Sequence, residues 1–196
     1  IASFVSMAVI VPTLIGAAIA VQLCKKYDKF KIFYFSYMFA LILGIVRYIA
    51  GYENMMVYVI LNALGGFPLG IAAILQYQFT PDCYEYGQYK TGLKMRGVTF
   101  AAQTFFTKLN GAIATAVSVF ALTLIGFKEG EGVIQAAGFA DKLWTFSCLG
   151  SIIGGIGTLL ILRLYKLNDH DVQLMSKCNN GEITREEAEA QMINRY

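Results

Sequence analysis

One lysine and a row of hydroxyl and amide side chains occur together within a strongly apolar stretch of the chain. Lys108 stands ten residues after Val98, where that stretch begins, which places it about 15 Å along a helix. The polar side chains around it are Gln103, Thr104, Thr107, Asn110, Thr115 and Ser118. Positions 104, 108, 111, 115 and 118 follow the helical period, so one face is polar. An ionisable group at this depth indicates a solvated substrate pathway, whereas helix packing would need only threonine and small residues.

A second set of polar residues lies between two apolar stretches, from Asp82 to Gly97. Carboxylates and phenols alternate there with cations, and glycines offer turn positions. We predict a cytoplasmic loop whose charges do more than set topology, since topology alone would need no acids. The residues singled out in this loop are Asp82, Glu85, Tyr86, Lys90, Thr91, Gly92 and Lys94.

The elements that hold these residues are predicted to be membrane-spanning helices. Hydrophobic residues make up 57% of the chain and charged residues 15%, which is far from the composition of soluble domains. The apolar stretches are long and do not alternate, so they predict helices rather than barrel strands. Five spans are expected, at about 2–24, 32–51, 55–80, 98–127 and 143–167. The predicted fold is an all-α polytopic membrane protein, with a transmembrane bundle over residues 1–167 and a polar tail containing a short helix over 168–196.

Basic residues set the expected orientation of these spans. Lysines and arginines concentrate between the first and second spans, between the third and fourth, and in the tail, whereas the opposite loops hold only Lys128 and Lys142. The positive-inside rule therefore predicts a cytoplasmic tail. Arg47, near the outer end of the second span, is expected to extend its side chain to the interface. The odd number of spans predicts that at least one helix is missing at the front.

Two spans contain residues that weaken helices. The third contains Gly65-Gly66-Phe67-Pro68-Leu69-Gly70, and the first contains Pro12. These residues are compatible either with kinked helices that line a cavity or with static packing against neighbours.

The remaining polar residues predict neither a metal site nor an enzyme. His170 is the single histidine and lies among carboxylates in the tail, where a surface role is expected. The four cysteines form no CxxC pair and are expected to be free thiols. The spans lack the nucleophile, histidine or carboxylate cluster that an enzyme would need. The basic residues follow topology, so nucleic acid is not an expected partner.

From Asp82 to Gly92 the chain resembles the pattern Asp-x-x-Asp/Glu-Tyr-Gly-x-x-Lys-Thr-Gly of the glycoside-pentoside-hexuronide:cation symporters. This melibiose-carrier-like family belongs to the major facilitator superfamily. The similarity continues through Gln103, Thr104 and Lys108 and through Tyr165-Lys166-Leu167. It implies the C-terminal half of a twelve-helix carrier, with the five spans corresponding to helices 8 to 12. Lys94 and Arg96 depart from the family's arginine followed by an acid, so no salt bridge is inferred for them.

The resemblance implies cation-coupled uptake of a sugar, glycoside or hexuronide by alternating access. Lys108 would reach toward the sugar or toward carboxylates of the N-terminal half, with Gln103 and Thr104 as hydroxyl-binding partners. The loop residues from Asp82 to Lys94 singled out above would form part of a cytoplasmic gate. The coupling ion, Na⁺ or H⁺, would be bound mainly by the N-terminal half, and no other cofactor is implied. The expected partners are the sugar, the N-terminal half and lipid, in the plasma membrane or a bacterial inner membrane. A lipid or drug carrier of the same superfamily and a non-transporting scaffold stay open as alternatives.

Overall fold

The computed structural model describes residues 2–130 and 134–196, and over these residues it contains seven helices and no strand. The helices are α1 (Ala2–Leu23), α2 (Lys29–Ala50), α3 (Met55–Thr91), α4 (Arg96–Leu124), α5 (Phe139–Leu162), α6 (Asp169–Asn179) and α7 (Arg185–Gln191). The predicted all-α class is confirmed. Ile1 and residues 131–133, which the expected bundle includes, lie outside the described residues.

Four of the helices, α2 to α5, are long and apolar enough to cross a membrane. In α1, the stretch Met7–Leu23 is apolar but shorter than these helices, and a fifth span there stays a prediction. Many large hydrophobic side chains on these helices face outward; Ile49 is 78% exposed and Ile161 is 69% exposed. Water solvates such an apolar surface poorly, whereas the acyl chains of lipid solvate it well. The helices therefore indicate an integral membrane protein.

Glycines bring α1 and α3 into direct backbone contact. A Cβ added at Gly70 would lie 1.9 Å from the carbonyl oxygen of Thr13, and one at Gly16 would lie 2.1 Å from that of Phe67. Small residues allow helices in lipid to approach closely and gain dispersion contacts. Gly66 and Gly70 of the third span therefore serve packing, and α3 continues through Pro68 as one helix.

The core of the bundle lies where α1, α2 and α3 meet. Its buried residues are Ala20, Ile32, Phe33, Ile71, Ala72 and Leu75. α2 packs against both α3 and α5, while α4 has only a small contact with α3. The polar face of α4 is thus free of the other described helices.

α3 is longer than the apolar stretch that predicted it, which corrects the expected loop at Asp82. The helix continues through Pro81 to Thr91 and stops at Gly92, whose φ of 72° is left-handed. Hydropathy marks where a chain leaves hydrocarbon, but a helix continues while its backbone groups are paired. The segment Asp82–Thr91, called the α3 extension below, is therefore helical. Only residues 92–95 connect it to α4.

The tail folds back onto the α3 extension, and a buried carboxylate organises its end. Asp171 is 0% exposed and accepts hydrogen bonds from the backbone N–H groups of Ile193 (2.8 Å) and Asn194 (3.0 Å) and from the hydroxyl of Tyr196 (3.0 Å). Burial alone would raise the pKa of the Asp171 carboxyl, but the hydrogen bonds from the Ile193 and Asn194 amides and from the Asn168 and His170 side chains outweigh burial and hold that pKa below its usual value. Farther along, Thr184 forms a capping box at the start of α7.

Candidate functional site

The residues predicted to bind substrate lie along α4. Lys108 lies in the middle third of this helix, and its side chain is exposed. Thr104, Thr107 and Asn110 are also exposed, and Gln103 is half-buried. Over the residues that the structure describes, Lys108 forms no salt bridge. The helix thus presents an unpaired ammonium within a polar face.

The hydroxyl groups of this face are held in place by their own helix. Thr104 donates to the carbonyl oxygen of Phe100 at 3.0 Å, and Thr107 donates to that of Gln103 at 2.8 Å. Each hydroxyl donates its single hydrogen to a backbone carbonyl, and its oxygen lone pairs can still accept a hydrogen bond from a ligand. The face therefore offers ordered acceptors around one cation, which suits reversible binding of a polar solute.

A second site, the ionic cluster, joins the ends of several helices and consists of Lys29, Asp82, Tyr165 and Asp169. Lys29 Nζ lies 2.8 Å from Asp82 Oδ1 and 3.2 Å from Asp169 Oδ1. The side chains of Lys29 and Asp82 are only 18% and 5% exposed. Charges so poorly solvated depend strongly on their partners, because breaking the pair would leave a charge buried alone.

The first residues of α2 and α6 position this cluster, because a carboxylate at the start of each helix accepts a hydrogen bond from a backbone N–H at the start of the other. Asp28 caps α2 by accepting from the N–H groups of Phe30 and Lys31, and its other oxygen accepts from the N–H of Asp169 at 2.8 Å. In return, Asp169 Oδ2 accepts from the N–H of Lys29 at 2.8 Å. Each carboxylate therefore meets the positive end of the other helix.

Tyr165 closes the cluster on its apolar side. Its hydroxyl donates to Asp82 Oδ2 at 3.4 Å, and its ring stacks on Phe30 with 5.3 Å between ring centres. Phe79 packs edge-on against the same ring at 5.2 Å. Burial raises the pKa of the Tyr165 hydroxyl, so it stays protonated and acts as a donor.

The predicted gate residues divide into two groups. Asp82 belongs to the ionic cluster, Glu85 accepts from Asn179 Nδ2 at 2.8 Å, and the ring of Tyr86 lies 5.8 Å from that of Tyr196. These three contact the tail or the cluster. The others do not: Thr91 donates to its own helix, Gly92 ends α3, and Lys90 and Lys94 are exposed.

Sequence reasoning missed Lys29 and Asp169 as site residues. Asp28 and Asn168 each precede a helix and carry a cap signal, which could have placed the two helix starts. Nothing local shows that they meet, since Lys29 and Asp169 are 140 residues apart in the chain.

The side chain of Arg47 contacts α3 and α5, and its extension to the interface stays a prediction. Its Nη1 donates to Asn62 Oδ1 at 3.2 Å, and the guanidinium carbon lies 5.6 Å from the centre of the Trp144 ring. The side chain turns inward because α3 offers an amide oxygen and α5 an aromatic face within its reach.

The four cysteines are all free thiols, as predicted. Within the described residues, no group of three or more His, Cys, Asp or Glu side chains is arranged to hold a metal ion.

Comparison with known proteins places most of the chain within one family. The model of the family described as "MFS/sugar transport protein" matches residues 1–169. No solved structure shows a significant match.

Three relatives from Escherichia coli (strain K12) are transport proteins by name. The chain is 25% identical to a "Putative sulfoquinovose importer", over 90% of the chain and 38% of the relative. It is 22% identical to "Putative glycoside/cation symporter YagG", over 84% of the chain and 36% of the relative. It is 21% identical to "Inner membrane symporter YicJ", over 83% of the chain and 35% of the relative. The chain thus spans little more than a third of the length of these relatives.

Proposed function

Since the chain belongs to the MFS/sugar transport protein family, we propose that it is the C-terminal part of a carrier that takes up a sugar, glycoside or hexuronide with Na⁺ or H⁺. In this proposal α1 to α5 are the last five helices of a twelve-helix carrier, here called the full-length carrier. The carrier works by alternating access and performs no covalent chemistry.

The polar face of α4 is the observation that carries this proposal. Lys108 lies twelve residues after the first residue of α4 and sixteen before the last, and it is exposed and unpaired within the described chain. A lysine at this depth is costly unless it faces water, a ligand or an acid. A cavity shared with the N-terminal half supplies all three, so α4 lines the substrate pathway.

The chemistry of this face suits a carbohydrate. Hydroxyl groups of Thr104 and Thr107 can exchange hydrogen bonds with sugar hydroxyls. Gln103 and Asn110 lie about 140° and 160° from Lys108 around the helix and do not share this face. The Lys108 ammonium can pair with an acidic sugar or with cation-site carboxylates of the N-terminal half. Names of the relatives, which include a glycoside/cation symporter and an importer of a sulfonated sugar, agree with this class of substrate.

The ionic cluster is proposed to form part of the cytoplasmic gate. Its four side chains come from α2, α3, the exit of α5 and α6, so a change in the tilt of these helices would separate the charges. Contacts that exist in one state and not in the other shift the balance between those states. The proposed orientation, with the cluster and tail in the cytoplasm, follows the positive-inside rule.

Uptake by the full-length carrier in proteoliposomes tests this function. A panel of neutral sugars, glycosides, hexuronides and sulfonated sugars is offered with a Na⁺ gradient, with a proton gradient and with neither. The proposal expects at least one member to accumulate only when one of the gradients is present. Transport of lipid or of apolar drugs, without uptake of any sugar, would favour the other carrier class and contradict it.

A further inference from the structure

A cation without an acidic partner lies near the C-terminal end of α2. The Arg47 guanidinium has Asn62 Oδ1 as its one oxygen acceptor among the described residues, and its Nη2 faces the Cys148 sulfur at 3.8 Å. Its Nε–H and the indole N–H of Trp144 are buried without a hydrogen-bond partner in the described chain. Sulfur is a weak acceptor, so the Nε and Nη2 side of the guanidinium keeps its capacity for a stronger one.

Arg47 lies in the walls of two adjoining cavities. One, of about 410 Å³, is lined by Tyr52, Met55, Tyr58, Leu143 and Trp144 together with Arg47. The other, of about 290 Å³, extends between α2, α3 and α5 past Asn62 and Gly65. Asp141 lines neither cavity, and its carboxylate accepts from the Tyr52 hydroxyl. The described walls around the guanidinium are therefore mainly aromatic and apolar, with Asn62 and Ser147 as polar neighbours, and no carboxylate lines either cavity.

The position of Arg47 along α2 corresponds to the edge of the hydrocarbon. The helix has 22 residues, and Arg47 is 18 residues after Lys29, or about 27 Å along the axis. A bilayer's hydrocarbon core is about 30 Å thick, so this is the level where phosphate groups begin. Tryptophan and tyrosine favour the same level, and Tyr52, Tyr58 and Trp144 surround the site.

We propose that Arg47 and Trp144 hold the phosphate of a phospholipid in the leaflet at the C-terminal end of α2. Nε–H and Nη2–H of arginine form a fork that matches two oxygens of one phosphate. The indole N–H of Trp144 supplies a third donor, and Met55 and Leu143 supply apolar walls for the acyl chains. This site is separate from the α4 face and does not rest on the proposed transport function.

Native mass spectrometry of the full-length carrier measures the affinity directly. The probes are palmitoyl-oleoyl phosphatidylglycerol, the phosphatidylethanolamine with the same acyl chains, and the matching diacylglycerol, which has no phosphate. Both phospholipids should bind in a saturable way, because the recognised group is the phosphate and not the net charge. Diacylglycerol should bind at least about tenfold more weakly, as expected for the loss of a charge-assisted hydrogen bond.

Matched variants locate the site. Arg47→Gln should weaken phospholipid binding about tenfold, and Trp144→Phe, which keeps a ring but loses the N–H, should weaken it severalfold. Arg163→Gln, which removes an exposed arginine after α5, should leave binding unchanged. If Arg47→Gln does not fold, Arg47→Lys keeps the charge without the fork and should still lose affinity.

Three results would overturn the proposal. Equal binding of diacylglycerol and phospholipid would show that acyl chains alone are recognised. Unchanged phospholipid affinity in both Arg47→Lys and Trp144→Phe would place the lipid elsewhere. Thermal stabilisation by inorganic phosphate alone, matching that by phospholipid and lost in Arg47→Lys, would assign the site to a soluble anion instead.

Discussion

Lys29 Nζ lies 2.8 Å from Asp82 Oδ1, and this contact fastens the first residue of α2 to the start of the α3 extension. The two side chains are almost closed to solvent, unlike an ordinary surface ion pair. Asp169 adds a second carboxylate at 3.2 Å, so the tail shares the same lysine. One cation therefore couples two membrane helices to the tail.

Removing this lysine should destabilise the full-length carrier. Lys29→Gln leaves the Asp82 carboxylate buried without its cation, which should cost about 2 to 4 kcal/mol. Lys29→Gln combined with Asp82→Asn should recover part of that loss, because position 82, the more deeply buried of the two carboxylate positions, then carries no charge. The measurement is thermal unfolding in detergent, with Lys31→Gln as the control because Lys31 is exposed and forms no ion pair with a described residue. Equal effects of Lys29→Gln and Lys31→Gln would contradict this reading.

Glycine substitutions in α3 should separate helix packing from helix propensity. A Cβ at Gly70 would overlap the Thr13 carbonyl, whereas a Cβ at Gly65 has nothing within 4 Å. Gly70→Ala should therefore cost about 1 to 3 kcal/mol or prevent insertion. Gly65→Ala should be neutral or should stabilise by up to about 1 kcal/mol, because alanine favours the helix. Thermal unfolding of the two full-length variants checks this, and the same stability in both would rule out the close approach of α1 and α3.

The end of the tail should depend on the charge of Asp171. Asp171→Asn replaces one carboxylate oxygen with an NH2 group that cannot accept, so either Ile193, which donates to Oδ1, or Asn194 and Tyr196, which donate to Oδ2, lose their acceptor. Hydrogen exchange should accelerate at least about tenfold at whichever of the Ile193 and Asn194 amides loses its acceptor. The exposed Glu186→Gln serves as the control in α7 and should change nothing.

The same contact gives a pH dependence of definite sign. The pKa of Asp171 is lowered in the folded chain, so its stabilisation is fully present above the ordinary value of 3.8 and is lost as pH falls through the lower folded value. Protection of the two amides should therefore persist at pH 5 and disappear only below about 3.8. Loss of protection at pH 5 to 6 would show that the carboxyl is not held in its charged form.

Labelling of Cys83 tests the proposed orientation. This exposed thiol lies on the α3 extension and should react with a membrane-impermeant maleimide in inside-out vesicles but not in intact cells. In the full-length carrier all other cysteines are replaced. Lys142→Cys, on the opposite side, should show the reverse pattern. Reaction of Cys83 from outside intact cells would show that the α3 extension is extracytoplasmic and would contradict the proposed orientation.

Hydropathy located the long helices but could not show where α3 ends or how the helices pair. The residues after Pro81 are polar but still belong to α3, because the helix ends at Gly92 and not at Pro81. The close approach of Gly70 to Thr13 requires that α1 and α3 face each other, which the sequence does not show. From the sequence, these glycines were compatible with either helix packing or a cavity-lining kink.

The two candidate sites differed in how far the sequence could predict them. The polar face of α4 follows from spacing within one helix, so it was predicted residue by residue. The ionic cluster depends on Lys29 and Asp169, which the chain separates by 140 residues, and no local pattern joins them. The same limit applies to Arg47, whose inward direction depends on Asn62 and Trp144 on other helices.

The central claim is tested most directly by initial rates of sugar uptake, with the sugar identified in the panel above. These rates are compared between the wild-type full-length carrier and its Lys108→Ala variant. Lys108→Ala should reduce coupled uptake at least about a hundredfold, the effect of losing about 3 kcal/mol of charge-assisted binding. Expression should stay near that of the wild type, because the ammonium has no salt-bridge partner within the described chain that its removal would leave unpaired. Lys128→Ala, which removes an exposed lysine after α4, should transport normally. Wild-type uptake by the Lys108→Ala variant would contradict the claim that the polar face of α4 lines the substrate pathway.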